Sequence, residues 1–490
     1  MSISLGFVPG HRPSFSQDWA LEMRRTCVDA LTPLDLELVV PEGVISNIEE
    51  AESAWPWFAE RGVEALLLGT MTFGDEEALA EIAQRLYEIK PIPIALFGTL
   101  EPVDGKGIRA GSDSFCGTLS VAMNLQTAGI PFRFLGILDP KSAEFATAVA
   151  EFVTMDAARV RRNWEEAFAR PYPGGGSADS AITAAAVEAF RHARFGQFGP
   201  RASGFVTCAF DERQMLRQFG QRVVPIDLAE VFGRATGLDG DDAALAAARA
   251  KICERADLEV DAKAFEKMAR LYVSLQQLIT ENRLVAAGHN CWLSIQTQYG
   301  ISGCAVFSLL EDEGIPITCE TDVYGAASML LAKVVAAAHG DETPPIFMDW
   351  TIRHPEDRNL FQAWHCGKAP WSVFRDRPVI RTHEIIGRNL SDDICQGTVE
   401  GEFCPGEVTL SRLVEYNGRF RCLVTRGVIE IGEWPEMRGS WGWVRIDDLE
   451  RLYRVLCEKG FSHHVVLQYG DYRASLASTA EELGIEVVWI

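Results

Sequence analysis

The stretch VEALLLGTMTFGDEEALAEIAQRLYEIKPIPIALFG, Val63–Gly98, sets two short apolar runs on either side of a loop and an amphipathic helical pattern. The same alternation already runs through ISLGFV, DWALEMRRTCVDAL, LELVV and NIEEAESAWPWFAER upstream. Strand-length apolar runs separated by helices of this kind predict a parallel sheet with helices on both faces. The loops GTMTFGDE, Gly69–Glu76, and GSDSFCGT, Gly111–Thr118, then fall at strand ends, where open α/β sheets line ligand crevices.

Working outward, a helical pattern from Ser142 to Ala169 leads into RPYPGGGSADS, whose Pro and Gly content reads as a linker. No Lys-Ser or Lys-Thr follows its glycines, so it is not a phosphate loop. GFVTCAF, DERQMLRQFG and VVPIDLAEVFG begin a second α/β block, followed by a long helical stretch from about Ala243 to Val285. After about Ile346 the texture turns to strands, with an Asn-Gly pair between alternating runs as a hairpin signal. The expected fold is α/β: two Rossmann-like doubly wound domains over 1–170 and 171–345, then a β-rich, barrel-like C-terminal domain over 346–490.

The chain has 490 residues, 69 acidic against 46 basic, for a formal charge of −23. That balance opposes contact with nucleic acid or an anionic membrane face. The start lacks the pattern of a signal peptide, and the apolar run SMLLAKVVAAA is short and broken by Lys333, so a cytoplasmic protein without a membrane span is expected. Twelve scattered cysteines match neither a disulfide framework nor a zinc ribbon and read as reduced core thiols.

In ITCETDVYGA, Ile317–Ala326, two carboxylates stand in an apolar setting. A buried charge costs several kcal/mol unless it is paired or metal-bound. Asp322 suits the N-cap of the helix that follows, whereas Glu320 lies early for a cap. Asp349 reads as the C-terminal end of the buried strand PPIFMDW, a position that is functional or a plain turn. His365 lies in WHCG, where a lone histidine is a core group or a ligand. His463 and His464 precede an apolar strand, on which adjacent residues face opposite ways, so one of the two is expected in a site. Two carboxylates and one imidazole would suit Mn²⁺, Mg²⁺ or Co²⁺.

With these motifs, LLLGTMTFGDE, SDSFCGTLS, EDEGIPITCETDVYGA, WHCG and GFSHHVVLQYGD, the chain resembles the L-fucose isomerase and L-arabinose isomerase superfamily nearly end to end. The resemblance implies that Glu320 and Asp349 are metal ligands and the proton-transfer pair, that His464 completes the metal set, and that Asp322 is a neighbour. His365 is a looser match to a further histidine ligand of arabinose isomerases and is placed as a substrate contact, with a ligand role as the alternative. PGHRPSF resembles an N-terminal basic loop that reaches a neighbouring subunit's site, so Arg12, and with it His11, is a candidate sugar contact, surface exposure being the competing reading. Gln296 and Gln298 in CWLSIQTQYG are further candidate sugar contacts, or else exposed helix positions. A homo-oligomer, trimer or hexamer, is implied.

The implied activity is aldose–ketose isomerisation of a pentose or deoxyhexose through an enediol, with a divalent cation stabilising the developing charge while two carboxylates take and return the proton. Two rivals remain: a metal-dependent lyase or decarboxylase on a sugar derivative, and a non-catalytic sugar-binding sensor.

Overall fold

A computed structural model of the chain describes residues 2–101, 103–104, 107–108, 112–172, 178–387, 390–433 and 438–490. The glycines of the expected linker, and Gly111 of the second loop, lie outside these residues.

Strands β1 (Ile3–Gly10), β2 (Leu36–Val39), β3 (Ala65–Thr70), β4 (Ile94–Thr99) and β5 (Arg133–Leu138) form a parallel sheet in the order β2-β1-β3-β4-β5. The two apolar runs of Val63–Gly98 are β3 and β4, and every residue of both is buried, as strands covered on both faces must be. The helix between them, Glu76–Ile89, is capped by Asp75, which accepts from the amides of Glu77 and Ala78.

A second parallel sheet holds β6 (Arg194–Phe198), β7 (Arg222–Ile226), β9 (Ala286–His289) and β10 (Ile317–Thr318) in the order β10-β9-β6-β7. GFVTCAF is not one of its strands: Val206–Cys208 is a single 3₁₀ turn, and β6 comes earlier, from RFGQF. The helical stretches of the sequence each divide in two, Ala143–Phe152 with Ala157–Ala169 and Ala243–Arg255 with Ala262–Asn282. The second pair is split by β8 (Asp257–Leu258), which pairs with a strand more than a hundred residues on and joins the third sheet at its edge.

That third sheet is large and mixed. It takes in β11 (Ile346–Arg353), β12 (Leu360–His365), β13 (Val379–Thr382), β14 (Gln396–Glu402), β15 (Gly406–Tyr416), β16 (Arg419–Glu430), β17 (Ser440–Arg445), β18 (His464–Tyr469) and β19 (Glu486–Trp489). β15 and β16 make the Asn-Gly hairpin, with Asn417 at φ 53° and Gly418 at φ 81°, the left-handed pair that a tight two-residue turn requires. An added pairing of β16 with β17 links the two halves of the sheet. No helix among the described residues is long and apolar enough to cross a membrane.

Candidate active site

The site forms where the loop after β10 meets the centre of the third sheet. Glu320 and Thr321 both adopt left-handed backbone, φ 57° and 58°, although neither is glycine. Such residues cost of order 1–3 kcal/mol each and persist where their surroundings fix them. The Thr321 amide donates to the His289 carbonyl (3.1 Å) and the Asp322 amide to the Cys319 carbonyl (3.0 Å), which hold the turn and aim Glu320 inward.

Asp349 is not at the end of its strand. β11 continues through an irregularity at Trp350–Ile352 to Arg353, so Asp349 lies mid-strand, directly opposite His464 on β18 and Trp364 on β12. Cross-strand partners in direct register share a face, which brings a residue 115 positions away to Asp349. His464 Nε2 lies 3.5 Å from both Glu320 Oε2 and Asp349 Oδ1. His463 precedes the strand and escapes its alternation; its Nε2 reaches Glu320 Oε2 at 3.4 Å, while Ser120 Oγ meets its Nδ1 at 3.0 Å. The expectation that only one of the two imidazoles joins the site is corrected on this point.

Asp322 caps the helix Val323–Ala338, accepting from the Gly325 amide at 2.7 Å. Its other oxygen accepts from His464 Nδ1 (2.8 Å) and pairs with Arg412 (2.7 Å). Burial opposes a charged Asp322, but Arg412 and His464 more than offset it and hold the carboxyl well below its usual range. With Nδ1 committed to Asp322, the lone pair of His464 sits on Nε2, a buried atom with no hydrogen-bond partner. Burial lowers His464 to about 4, so the ring is neutral near pH 7. Asp349 Oδ1 is likewise buried and unpartnered.

The two carboxyls shift the other way. Burial, joined by the charge of Glu320, raises Asp349 well above its ordinary value; burial raises Glu320, with His464 and Arg12 acting against it. Their side chains keep 12 % and 11 % of their surface open, against 1 % for His464, so the acids are the groups a ligand can reach.

His365, at the end of β12, groups with Asp349 and His464, their ligand atoms within 4.8 Å of one another. Its Nδ1 accepts from the Cys366 amide at 3.0 Å, which puts the proton of the neutral ring on Nε2. That nitrogen is buried, has no hydrogen-bond partner and faces the site as a donor.

Arg12 is buried within its own chain, not exposed. Its guanidinium lies between the rings of Phe73 and Phe205, 4.5 Å from each centroid, and donates to the Gly204 carbonyl at 2.7 Å. His11 is buried beside it, its Nδ1 3.0 Å from Thr72 Oγ1. The two glutamines make other contacts: Gln296 donates to Ser302 Oγ (3.2 Å), and Gln298 is exposed in a surface cleft with Gly199 and Asp227. Neither of these contacts is to a residue of the cluster around Glu320.

Sequence reasoning missed Cys208, Glu76, Ser120 and Arg412. Cys208 lies 3.6 Å from Glu320 Oε2; Thr207, one residue earlier, is bound through its amide and hydroxyl to Glu76, 2.9 Å each. Glu76 is fully buried at the first turn of its helix, which GDEEALAEI does not signal, since an acid there is an ordinary exposed position.

The profile of the fucose/sulfoquinovose isomerase N-terminal domain matches residues 6–163, and that of the L-fucose isomerase C-terminal domain matches 363–490. A sulfoquinovose isomerase of Alkalicoccus urumqiensis is 22% identical over 99% of this chain and 98% of its own length. A sulfoquinovose isomerase of Priestia aryabhattai is 22% identical over 98% of this chain and 97% of its own. A glucose-galactose binding protein of Geobacillus stearothermophilus overlaps 70% of this chain and 94% of its own at 13% identity, with a TM-score of 0.19, too low to inform the site. With both terminal profiles matched and relatives aligned over nearly its whole length, the chain belongs to the fucose isomerase-like family of isomerases.

Proposed function

We propose that this protein is a divalent-metal-dependent aldose–ketose isomerase, its ion of the Mn²⁺, Mg²⁺ or Co²⁺ kind held by Glu320, Asp349 and His464. The observation that carries the reading is the pair of buried, unpartnered acceptors, His464 Nε2 and Asp349 Oδ1, that stand 3.5 Å apart with Glu320 Oε2 at the same distance from the ring. Two buried acceptors crowded together, neither with a hydrogen-bond partner, fit a cation, and an imidazole fixed by a carboxylate on its far nitrogen is the usual support for one. When bound, such an ion stabilises negative charge developing on the sugar oxygens as the C2 proton leaves.

The residues of the chain do the rest. Glu320 and Asp349, the two more exposed acids of the cluster, take the proton from C2 and return it to C1. His365 Nε2–H donates to a sugar oxygen. Phe73 and Phe205 pack around Arg12 and the His463 ring, and Trp292 meets Phe205 edge-on, an aromatic wall beside the acids.

The substrate class is a pentose or a 6-deoxyhexose, the latter including the sulfonated 6-deoxyglucose in the names of the curated relatives. A panel of these aldoses with Mn²⁺-loaded protein in deuterated water, followed by NMR and mass spectrometry, tests it. The expected result is a ketose carrying deuterium at C1, and none with Glu320→Gln or Asp349→Asn. Loss of a carbon fragment would favour the lyase reading, and unchanged turnover in both variants would overturn the proton-transfer assignment.

A further inference from the structure

A thiol stands on the Glu320 side of the cluster. Cys208 Sγ, Glu320 and His464 offer ligand atoms that lie within 4.8 Å of one another, and all three residues are buried. This group shares His464 with Asp349 and His365 but opens toward sulfur.

Cys208 is not a loosely placed core thiol. Its turn, Val206–Cys208, is anchored before the sulfur by the two bonds from Thr207 to buried Glu76. It is anchored after the sulfur by the Asp211 amide, which donates to Tyr324 Oη at 2.9 Å on the helix that Asp322 caps. The sulfur is therefore fixed on both sides relative to Glu320. Its contact there, 3.6 Å to Oε2, is a weak S–H donation, while His464 Nε2 on the same cluster has no partner.

We propose that Cys208 is a protein ligand of the metal centre, raising its affinity for thiophilic divalent ions such as Co²⁺, Zn²⁺ and Cd²⁺ relative to Mn²⁺ and Mg²⁺. The inference rests on the metal-centre reading above and deepens it. Soft thiolate donors select softer ions over Mn²⁺ and Mg²⁺, whereas carboxylates and imidazole discriminate far less. As the metal–sulfur bond forms, the S–H bond breaks and its proton leaves to solvent, so the dication is met by the thiolate and the carboxylates together.

Metal-free wild-type protein and Cys208→Ser are titrated with Co²⁺, following bound metal after desalting, the visible d–d bands and the near-ultraviolet sulfur-to-cobalt charge-transfer band. The wild type is expected to hold one Co²⁺ and show the band; Cys208→Ser, nearly isosteric, is expected to hold Co²⁺ with d–d bands only, and its preference for Cd²⁺ over Mn²⁺ to fall by about tenfold or more. One bound Co²⁺ in the wild type without the charge-transfer band, or the same band in Cys208→Ser, would overturn the sulfur ligand and leave the metal centre standing. A wild type that binds no Co²⁺, Zn²⁺ or Mn²⁺ would overturn both.

Discussion

Asp322 Oδ2 accepts the Nδ1 proton of His464 at 2.8 Å, and this contact leaves Nε2 of the same ring as a bare, buried acceptor facing Glu320 and Asp349. Asp322→Asn removes the charge that holds this tautomer and that balances Arg412, which is 1 % exposed. The variant is expected to lose about 10–100-fold in metal affinity. An unpaired buried charge also predicts a stability loss of roughly 3–5 kcal/mol. Calorimetric metal titration, beside thermal unfolding of the metal-free proteins, separates the two effects. Unchanged affinity would remove Asp322 from the support of the site.

His365 presents an N–H at Nε2, because the Cys366 amide occupies its other nitrogen. Replacing it with alanine should therefore leave one metal ion bound. A hydrogen bond to a charged or charge-developing oxygen is worth about 1.5–3 kcal/mol, so kcat/KM should fall by roughly one to two orders of magnitude. His365→Gln, whose amide nitrogen can replace Nε2, should recover part of the loss. Loss of metal in the alanine variant would show the ring to be a ligand.

Glu76 gives the structure a pH signature of its own. Burial pushes its carboxyl up to about 7, with the Arg12 charge and the Thr207 hydrogen bonds acting the other way. A carboxyl raised on folding binds its proton more tightly in the folded state, so its contribution is full below the unfolded value near 4.5 and is lost as pH rises through about 7. Glu76→Gln keeps a donor and an acceptor for Thr207 but does not titrate. Relative to wild type, the variant should gain stability from pH 5 to pH 8, by about 2–3 kcal/mol at most. Denaturant unfolding at both pH values measures it, and a difference that stays flat or shrinks with pH would contradict the assignment.

Parallel strands such as β3 and β4 were legible because burial on both faces writes itself as an unbroken apolar run. Glu320 and Asp349 stood out because a charge interrupted such runs. Arg412, Cys208 and the second imidazole were not legible, since what makes them part of the site is contact across 90, 112 and 143 positions, which no local spacing encodes. Asp349 was misplaced at a strand end because β11 turns polar at Thr351 and Arg353 while still pairing with β12. The two-residue β8 carries no pattern: both of its residues are exposed, and only pairing with β13 makes it a strand. Arg12 was hidden for the opposite reason, because a guanidinium is buried here by two aromatic faces that come from separate loops.

A single divalent ion held by Glu320, Asp349 and His464 is what the proposed chemistry requires. Diffraction from crystals soaked in Mn²⁺, recorded for the anomalous signal of manganese, addresses it directly. One strong peak is expected at coordination distance from Glu320, Asp349 and His464 Nε2. A saturating soak that leaves that place empty, or a peak bound by other side chains, would contradict it.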